Sequence, residues 1–188
     1  YKGSTVQLVS HLDADGLAAA GIIKQALEEK GIKTEIKIVK MINETTVNEI
    51  DPDGLTILTD LGSGQLNLLR EHLKGKPVVI IDHHPPQGKS WEGLIHINPL
   101  LDGYNGSKDI SGAGVAYLVA KALDKKNVNL ASLAVVGAVA DLQNYFGRLE
   151  GINREILADA VRAGKLEKGI DLLLYGRYTR PIFQALQY

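Results

Sequence analysis

Val78-Val79-Ile80-Ile81-Asp82-His83-His84-Pro85-Pro86 is the stretch on which the reading of the fold turns. Four β-branched residues in a row after Pro77 predict a short strand buried on both faces, as in a parallel sheet. At its carboxyl end, where open α/β sheets carry their sites, stand one aspartate and two adjacent histidines. Pro85 and Pro86 then stop regular structure and hold Asp-His-His on a rigid turn. Packing does not explain polar, metal-competent side chains at a strand tip, so the turn is read as part of a site.

Working outward, the same strand-then-tip arrangement recurs. Thr5–Ser10 predicts a strand ending in His11-Leu12-Asp13-Ala14-Asp15-Gly16, followed by an Ala- and Ile-rich helix from Leu17 to Lys30 that Gly31 stops. Thr34–Lys40 alternates apolar and polar and predicts a half-exposed strand near the sheet edge. Ile42–Asp53 is polar and poorly patterned, a short helix and loop. Gly54–Thr59 predicts a third strand that delivers Asp60. A turn at Gly62-Ser63-Gly64-Gln65 leads into a helix reaching Leu73, and Leu94–Ile97 is a short fifth strand closed by Asn98-Pro99. After a Gly-, Asp- and Ser-rich loop from Asp102 to Gly112, three helical patterns follow: Gly114–Leu123, Leu130–Leu142 and Ile152–Ala163. The expectation is an α/β fold: a doubly wound, mainly parallel five-stranded sheet with a helical C-terminal half packed over one side and the sheet edge. The tail from Ile170 to Tyr188 reads as an extended or partly helical arm.

Composition bounds the chemistry. At 188 residues, 45% hydrophobic and 23% charged, the chain fits one globular domain with a real core. Lys and Arg total 21 against 22 Asp and Glu, so no broad basic field steers a nucleic acid, and any such contact is local. With no cysteine, disulfides and thiolate metal sites are excluded, and any metal is held by His and carboxylate. That absence fits a cytoplasmic protein. No apolar run approaches the roughly 18 residues of a membrane span.

Four element ends therefore carry acidic or imidazole groups: His11/Asp13/Asp15, Asp60, Asp82/His83/His84, and Asp141 after the apolar run Leu133–Ala140. Taken singly, each has a bland reading. Asp13 or Asp60 would cap a helix, and a lone histidine would be hydrogen-bonded structure. Taken together, the first three lie at the carboxyl ends of neighbouring strands and converge on one crevice. Asp141 closes an apolar run, where a carboxylate is costly unless paired or bound to metal. Crowded carboxylates without cations repel and take up protons. Two divalent ions relieve that, and oxygen with imidazole ligands suits Mn²⁺, Mg²⁺ or Zn²⁺. Two such ions side by side are an arrangement that hydrolyses phosphate esters.

In order, spacing and placement, His11-Leu12-Asp13-Ala14-Asp15-Gly16, Asp60, Asp82-His83-His84 and Gly137-Ala138-Val139-Ala140-Asp141 resemble motifs I to IV of the DHH phosphoesterase superfamily. Ser10–Gly16, Ser111–Tyr117 and Tyr175–Pro181 are similar to its archaeal RecJ-like branch, whose members include a nuclease associated with GINS in the replisome. The resemblance spans residues 1–188 as the DHH domain, without the C-terminal domain that closes over the crevice in full DHH proteins. It implies that His11 and Asp13 bind a first metal, that Asp15, His83 and Asp141 bind a second, and that Asp60 bridges them. It also implies two ions, Mn²⁺ in preference to Mg²⁺, holding a hydroxide between them as nucleophile. His84 contacts the scissile phosphate in this scheme, and Asp82 orients an imidazole. His11 stands where bacterial RecJ has Asp; His recurs there in other branches, including the family II pyrophosphatases.

The function so implied is a single-strand-specific exonuclease on DNA or RNA, working in repair or replication. The alternatives are a phosphoesterase for short oligoribonucleotides, cyclic dinucleotides or pyrophosphate, and a replisome scaffold paired with GINS. No membrane partner is expected. Gly112 and Gly114, at the start of a helix, offer backbone N–H groups for a substrate phosphate. Lys108, Arg148, Arg154, Arg177 and Arg180 are candidate backbone contacts. His96, Asn98 and His72 stay outside the metal set.

Overall fold

A computed structural model of the chain describes residues 5–51, 53–170, 174, 176 and 179–187. Five strands form one all-parallel sheet in the order β2-β1-β3-β4-β5: β1 Thr5–His11, β2 Lys33–Val39, β3 Thr56–Thr59, β4 Val78–Ile81 and β5 Leu94–Ile97. The β-branched run proposed as a doubly covered strand is β4, with Val78, Ile80 and Ile81 buried. β2 is an edge strand, as its alternation predicts, and its pattern is mostly exposed.

Helices cover both faces. On one lie α1 (Ala14–Glu28), α4 (Gly112–Leu123), α5 (Ala131–Ala140) and α6 (Gly151–Arg162), sharing a core with Leu8, Ile57 and Ile81. On the other lie α2 (Glu44–Asn48) and α3 (Leu66–Leu73), around Val9, Leu58, Ile80 and Trp91. Successive residues along a strand face opposite ways, so Leu8 and Val9, or Ile80 and Ile81, divide between the two cores. The C-terminal helices thus share the α1 face rather than the sheet edge, where Ile95 of β5 is 60% exposed.

Two helices begin earlier than the patterns predict. Asp13 caps α1 by accepting a hydrogen bond from Gly16 N at 2.9 Å, which starts the helix at Ala14 and puts Asp15 in its first turn. Ser111 caps α4 through Gly114 N, so that helix starts at Gly112. Between Ile42 and Asp53 stands α2, closed at its N-terminus by a reciprocal pair between Asn43 and Thr46. The tail holds a short α7 (Ile182–Ala185), while Tyr175, Arg177 and Tyr178 fall outside the described residues. No helix among the described residues is long and apolar enough to cross a membrane.

Candidate metal centre

The tips of β1, β3 and β4 are neighbours because their strands pair in register: Ser10 lies opposite Thr59, and Thr59 opposite Ile81. The residues that follow each tip therefore meet. α5 is pressed on α1 and α4 through Gly137, where a Cβ would lie 2.5 Å from the Ala113 Cβ of α4 and closer still to Asp15 of α1. That contact brings Asp141, just beyond the end of α5, to the same place. Asp60 adopts φ +58, a left-handed conformation uncommon for a non-glycine residue and best tolerated by Asp and Asn. Its N–H bonds to Ile81 O at 2.9 Å, which ties the turn to β4.

Three groups of candidate ligands result, each with donor atoms within 4.8 Å of one another: Asp60/Asp82/His83/His84, and the pair His11/Asp13/Asp60 and Asp15/His83/Asp141. Asp60 stands between them. Its Oδ2 is 3.8 Å from His11 Nδ1, and its Oδ1 is 3.2 Å from His83 Nε2. In the Asp15 group, His83 Nε2 is 3.8 Å from an oxygen of Asp15 and 3.8 Å from one of Asp141. That group is the deeper of the pair, with Asp15 and His83 buried, whereas the Asp13 side chain is 48% exposed.

Electrostatics mark the cluster as built around missing positive charge. Burial, outweighing the attraction of His83, pushes the Asp60 and Asp15 carboxyls above the usual range. For His83, burial works against the charged ring, but the carboxylates of Asp60 and Asp15 and the Gly106 carbonyl prevail and raise it to about 10. His83 Nδ1 lies 2.6 Å from Gly106 O and must donate to it, which turns Nε2 toward the carboxylates. Asp60 Oδ1 and His83 Nε2 are buried and face each other without hydrogen-bond geometry, and His11 Nδ1 is in the same condition 2.8 Å from Asp13. Such orphaned buried atoms are rare in folded proteins. Carboxylate oxygens and imidazole nitrogens are the donor set that a hard divalent cation takes.

Asp82 is of another kind. Fully buried, it accepts Ser63 N on Oδ2 and His83 N, His84 N and His84 Nδ1 on Oδ1. These bonds outweigh the cost of burial and hold its carboxyl below the usual range. Asp82 thereby orients His84, although its carboxylate also lies within ligand reach of Asp60, His83 and His84. Bonding to Asp82 in turn raises the His84 imidazole, whose side chain stays 51% exposed. It borders a cavity of about 280 Å³ lined by His11, Lys40, Met41, Asp60, Gln65 and His84, among others.

The glycines at the start of α4 turn out to serve Asp15. Gly112 N and Ala113 N donate to its two oxygens at 2.7 and 3.0 Å, and Gly114 N is taken by Ser111. The helix N-terminus thus holds a carboxylate of the chain itself, and these N–H groups are not free for a phosphate. Sequence reasoning passed over the amides and hydroxyl behind the cluster. Asn98 donates to His84 O and to Ser63 Oγ, which is also 2.8 Å from His96 Nε2. Gln143 donates to Asp141 and to Gly106 O. The only signal for Asn98 is its place at the end of β5; Gln143 gives none beyond its nearness to Asp141. Lys108 pairs with Glu150 away from the cluster.

Comparison with known proteins agrees with this geometry. The model of the DHH family N-terminal domain matches residues 5–140. An uncharacterized protein of Methanocaldococcus jannaschii is 30% identical over 191 residues, covering 97% of this chain and 43% of that protein. A prophage-derived protein of Bacillus subtilis that bears the name of a single-strand DNA-specific exonuclease is 30% identical over 145 residues, 69% of this chain and 24% of its own length. The crystal structure of the exonuclease RecJ bound to manganese superposes with a TM-score of 0.69 and 27% identity, over 85% of this chain and 43% of that one. The chain therefore spans less than half the length of these relatives. By sequence match and fold alike, it belongs to the DHH family, on its RecJ-like side.

Proposed function

We propose that the chain is the metal-binding half of a phosphodiesterase that hydrolyses single-stranded nucleic acid from an end. In this reading His11 and Asp13 hold one divalent ion and Asp15, His83 and Asp141 the other, with Asp60 shared between them. The observation that carries the proposal is the placement of Asp60, whose two oxygens face the two groups while Oδ1 and His83 Nε2 remain buried and unbonded. Two ions, Mn²⁺ or Mg²⁺, would neutralise the carboxylates, withdraw charge from the phosphate and make water acidic enough to attack near neutral pH.

The chain's own residues do the rest. Asp82 holds the His84 ring through Nδ1, leaving Nε2 for the cavity and favouring the charged imidazole, which would donate to a non-bridging phosphate oxygen as charge gathers there. The α4 N-terminus fixes Asp15 in place and favours its ionised form against the cost of burial. Hydrolysis adds the oxygen of water to phosphorus and breaks the P–O ester bond, and the departing oxygen takes a proton. Full convergence of the candidate ligands favours an enzyme over a scaffold beside GINS. The RecJ-like resemblance favours a strand over a small phosphate compound.

Hydrolysis of a labelled single-stranded oligonucleotide and of a dinucleotide, each with Mn²⁺ and with EDTA, tests this for the wild type and Asp60→Ala. Stepwise shortening of the strand that needs both metal and Asp60 supports the exonuclease. Cleavage of the dinucleotide alone replaces it with a small-substrate phosphoesterase, and cleavage that survives EDTA removes the metal reading.

A further inference from the structure

Gln143 lies two residues beyond Asp141 and is wholly buried, yet it is a large amide with no motif around it. Its Nε2 lies 2.7 Å from Asp141 Oδ2, 2.8 Å from Gly106 O and 3.3 Å from Ile110 O. Its Oε1 accepts Asn153 Nδ2 at 2.6 Å. Amide orientation is ordinarily ambiguous, but here the ends of the network settle it. Ser111 N can only donate, which makes the facing atom of Asn153 its oxygen. Asn153 therefore presents its nitrogen to Gln143, and Gln143 presents its own to a carboxylate and two carbonyls, all of which can only accept.

The Gly106 carbonyl also accepts His83 Nδ1. One peptide oxygen thus ties the imidazole to the amide that holds Asp141. Gly106 itself cannot carry a side chain, because a Cβ there would run into the His83 carbonyl and lie 2.6 Å from Leu100. We propose that Gln143 is a positioning residue for the Asp15/His83/Asp141 group. It fixes Asp141 directly and His83 through Gly106, and so sets that group's affinity for a divalent cation. The inference rests on the metal reading above and goes beyond it by separating the two groups. His11 and Asp13 make no bond to this network among the described residues, so their group feels it only through Asp60, which lies 3.2 Å from His83.

The test is calorimetric titration of Mn²⁺ into the chain, with thermal melts in EDTA to monitor folding. Wild type is compared with Gln143→Met, which keeps length and loses every hydrogen bond, and with Asn153→Asp, which keeps Gln143 but turns its amide over. Partners that orient metal ligands are worth about 10–100-fold in affinity. The expected result is two binding events in wild type, with one weakened by about that factor in each variant and the other changed less. Where Gln143→Met gives no cooperative melt, Asn153→Asp decides alone. Two wild-type affinities in a folded variant would overturn the proposal and leave Gln143 as loop filling. Equal weakening of both events would overturn the separation of the groups. Absence of any Mn²⁺ binding by wild type would instead overturn the metal reading beneath it.

Discussion

Adding one methyl group at Gly112 probes the architecture of the site without removing any of its functional groups. A Cβ there would lie 2.7 Å from Asp60 Cγ and 2.8 Å from its Cβ, and closer still to Oδ1. That is about 1 Å inside the ordinary carbon–carbon separation of ~3.5–4.0 Å. Neither side yields freely. Asp60 is buried and bonded through its N–H to Ile81 O, while Gly112 N is fixed by Asp15 at 2.7 Å. Relief therefore moves the Asp60 carboxylate by about 1 Å or pulls α4 away from Asp15, and either disturbs a ligand group. Overpacking of this kind costs about 1–3 kcal/mol, a drop of roughly 2–10 °C in melting temperature for a domain of this size. A misplacement of that order costs up to about 10²-fold in turnover. Gly112→Ala is to be compared by Mn²⁺ calorimetry and by hydrolysis of bis(4-nitrophenyl) phosphate with Gly54→Ala, whose Cβ would meet only Thr5 O at 3.8 Å. A folded Gly112→Ala chain with wild-type Mn²⁺ affinity would refute the placement of Asp60 at the centre of the site.

Three further outcomes follow from the same geometry. Because His83 is raised to about 10, its Nε2 carries a proton at neutral pH that a cation must displace. Mn²⁺ affinity therefore climbs as pH rises toward that value, by up to about tenfold per unit for one proton. Calorimetry in buffers of different ionisation enthalpy should find at least one proton released per chain at pH 7, since Asp60, raised to about 7, also gives one up in part, and none released would contradict the assignment. In Asp82→Asn, the His84 ring loses its charged partner, so kcat should fall by about 10²-fold with both Mn²⁺ sites retained, and the alkaline limb of the pH profile should move to lower pH. Unchanged kcat would remove His84 from the chemistry. Far from the site, Tyr117 is fully buried and donates to Asp159 at 2.7 Å, beside Lys121 and Arg162. Tyr117→Phe should cost about 1–2 kcal/mol in denaturant unfolding and leave Mn²⁺ affinity as it was.

The sheet and the residues at its tips are legible in the sequence because both are local. A run such as Val78–Ile81 declares a buried strand by composition, and the Asp and His residues follow directly on the strands that carry them. The start of α1 was less legible: Asp13 and Asp15 read alike in a turn, and only the cap bond shows one outside the helix and the other in its first turn. Gly112 and Gly114 illustrate a different limit. Free N–H groups at a helix start were foreseeable, but their partner, Asp15, lies about a hundred residues earlier in the chain and no pattern links them. Gln143, Asn153, Ser63 and Asn98 were least legible of all. An amide that joins loops has no period and no charge, and it acquires meaning only once the backbone atoms around it are assembled.

The proposed function turns on whether two divalent ions bind side by side among His11, Asp13, Asp15, Asp60, His83 and Asp141. Electron paramagnetic resonance of the chain titrated with Mn²⁺ tests it most directly, because two manganese ions sharing a carboxylate couple their spins and isolated ones do not. Two ions per chain are expected, with a coupled spectrum that Asp60→Ala abolishes. A single uncoupled ion, or none, would contradict it.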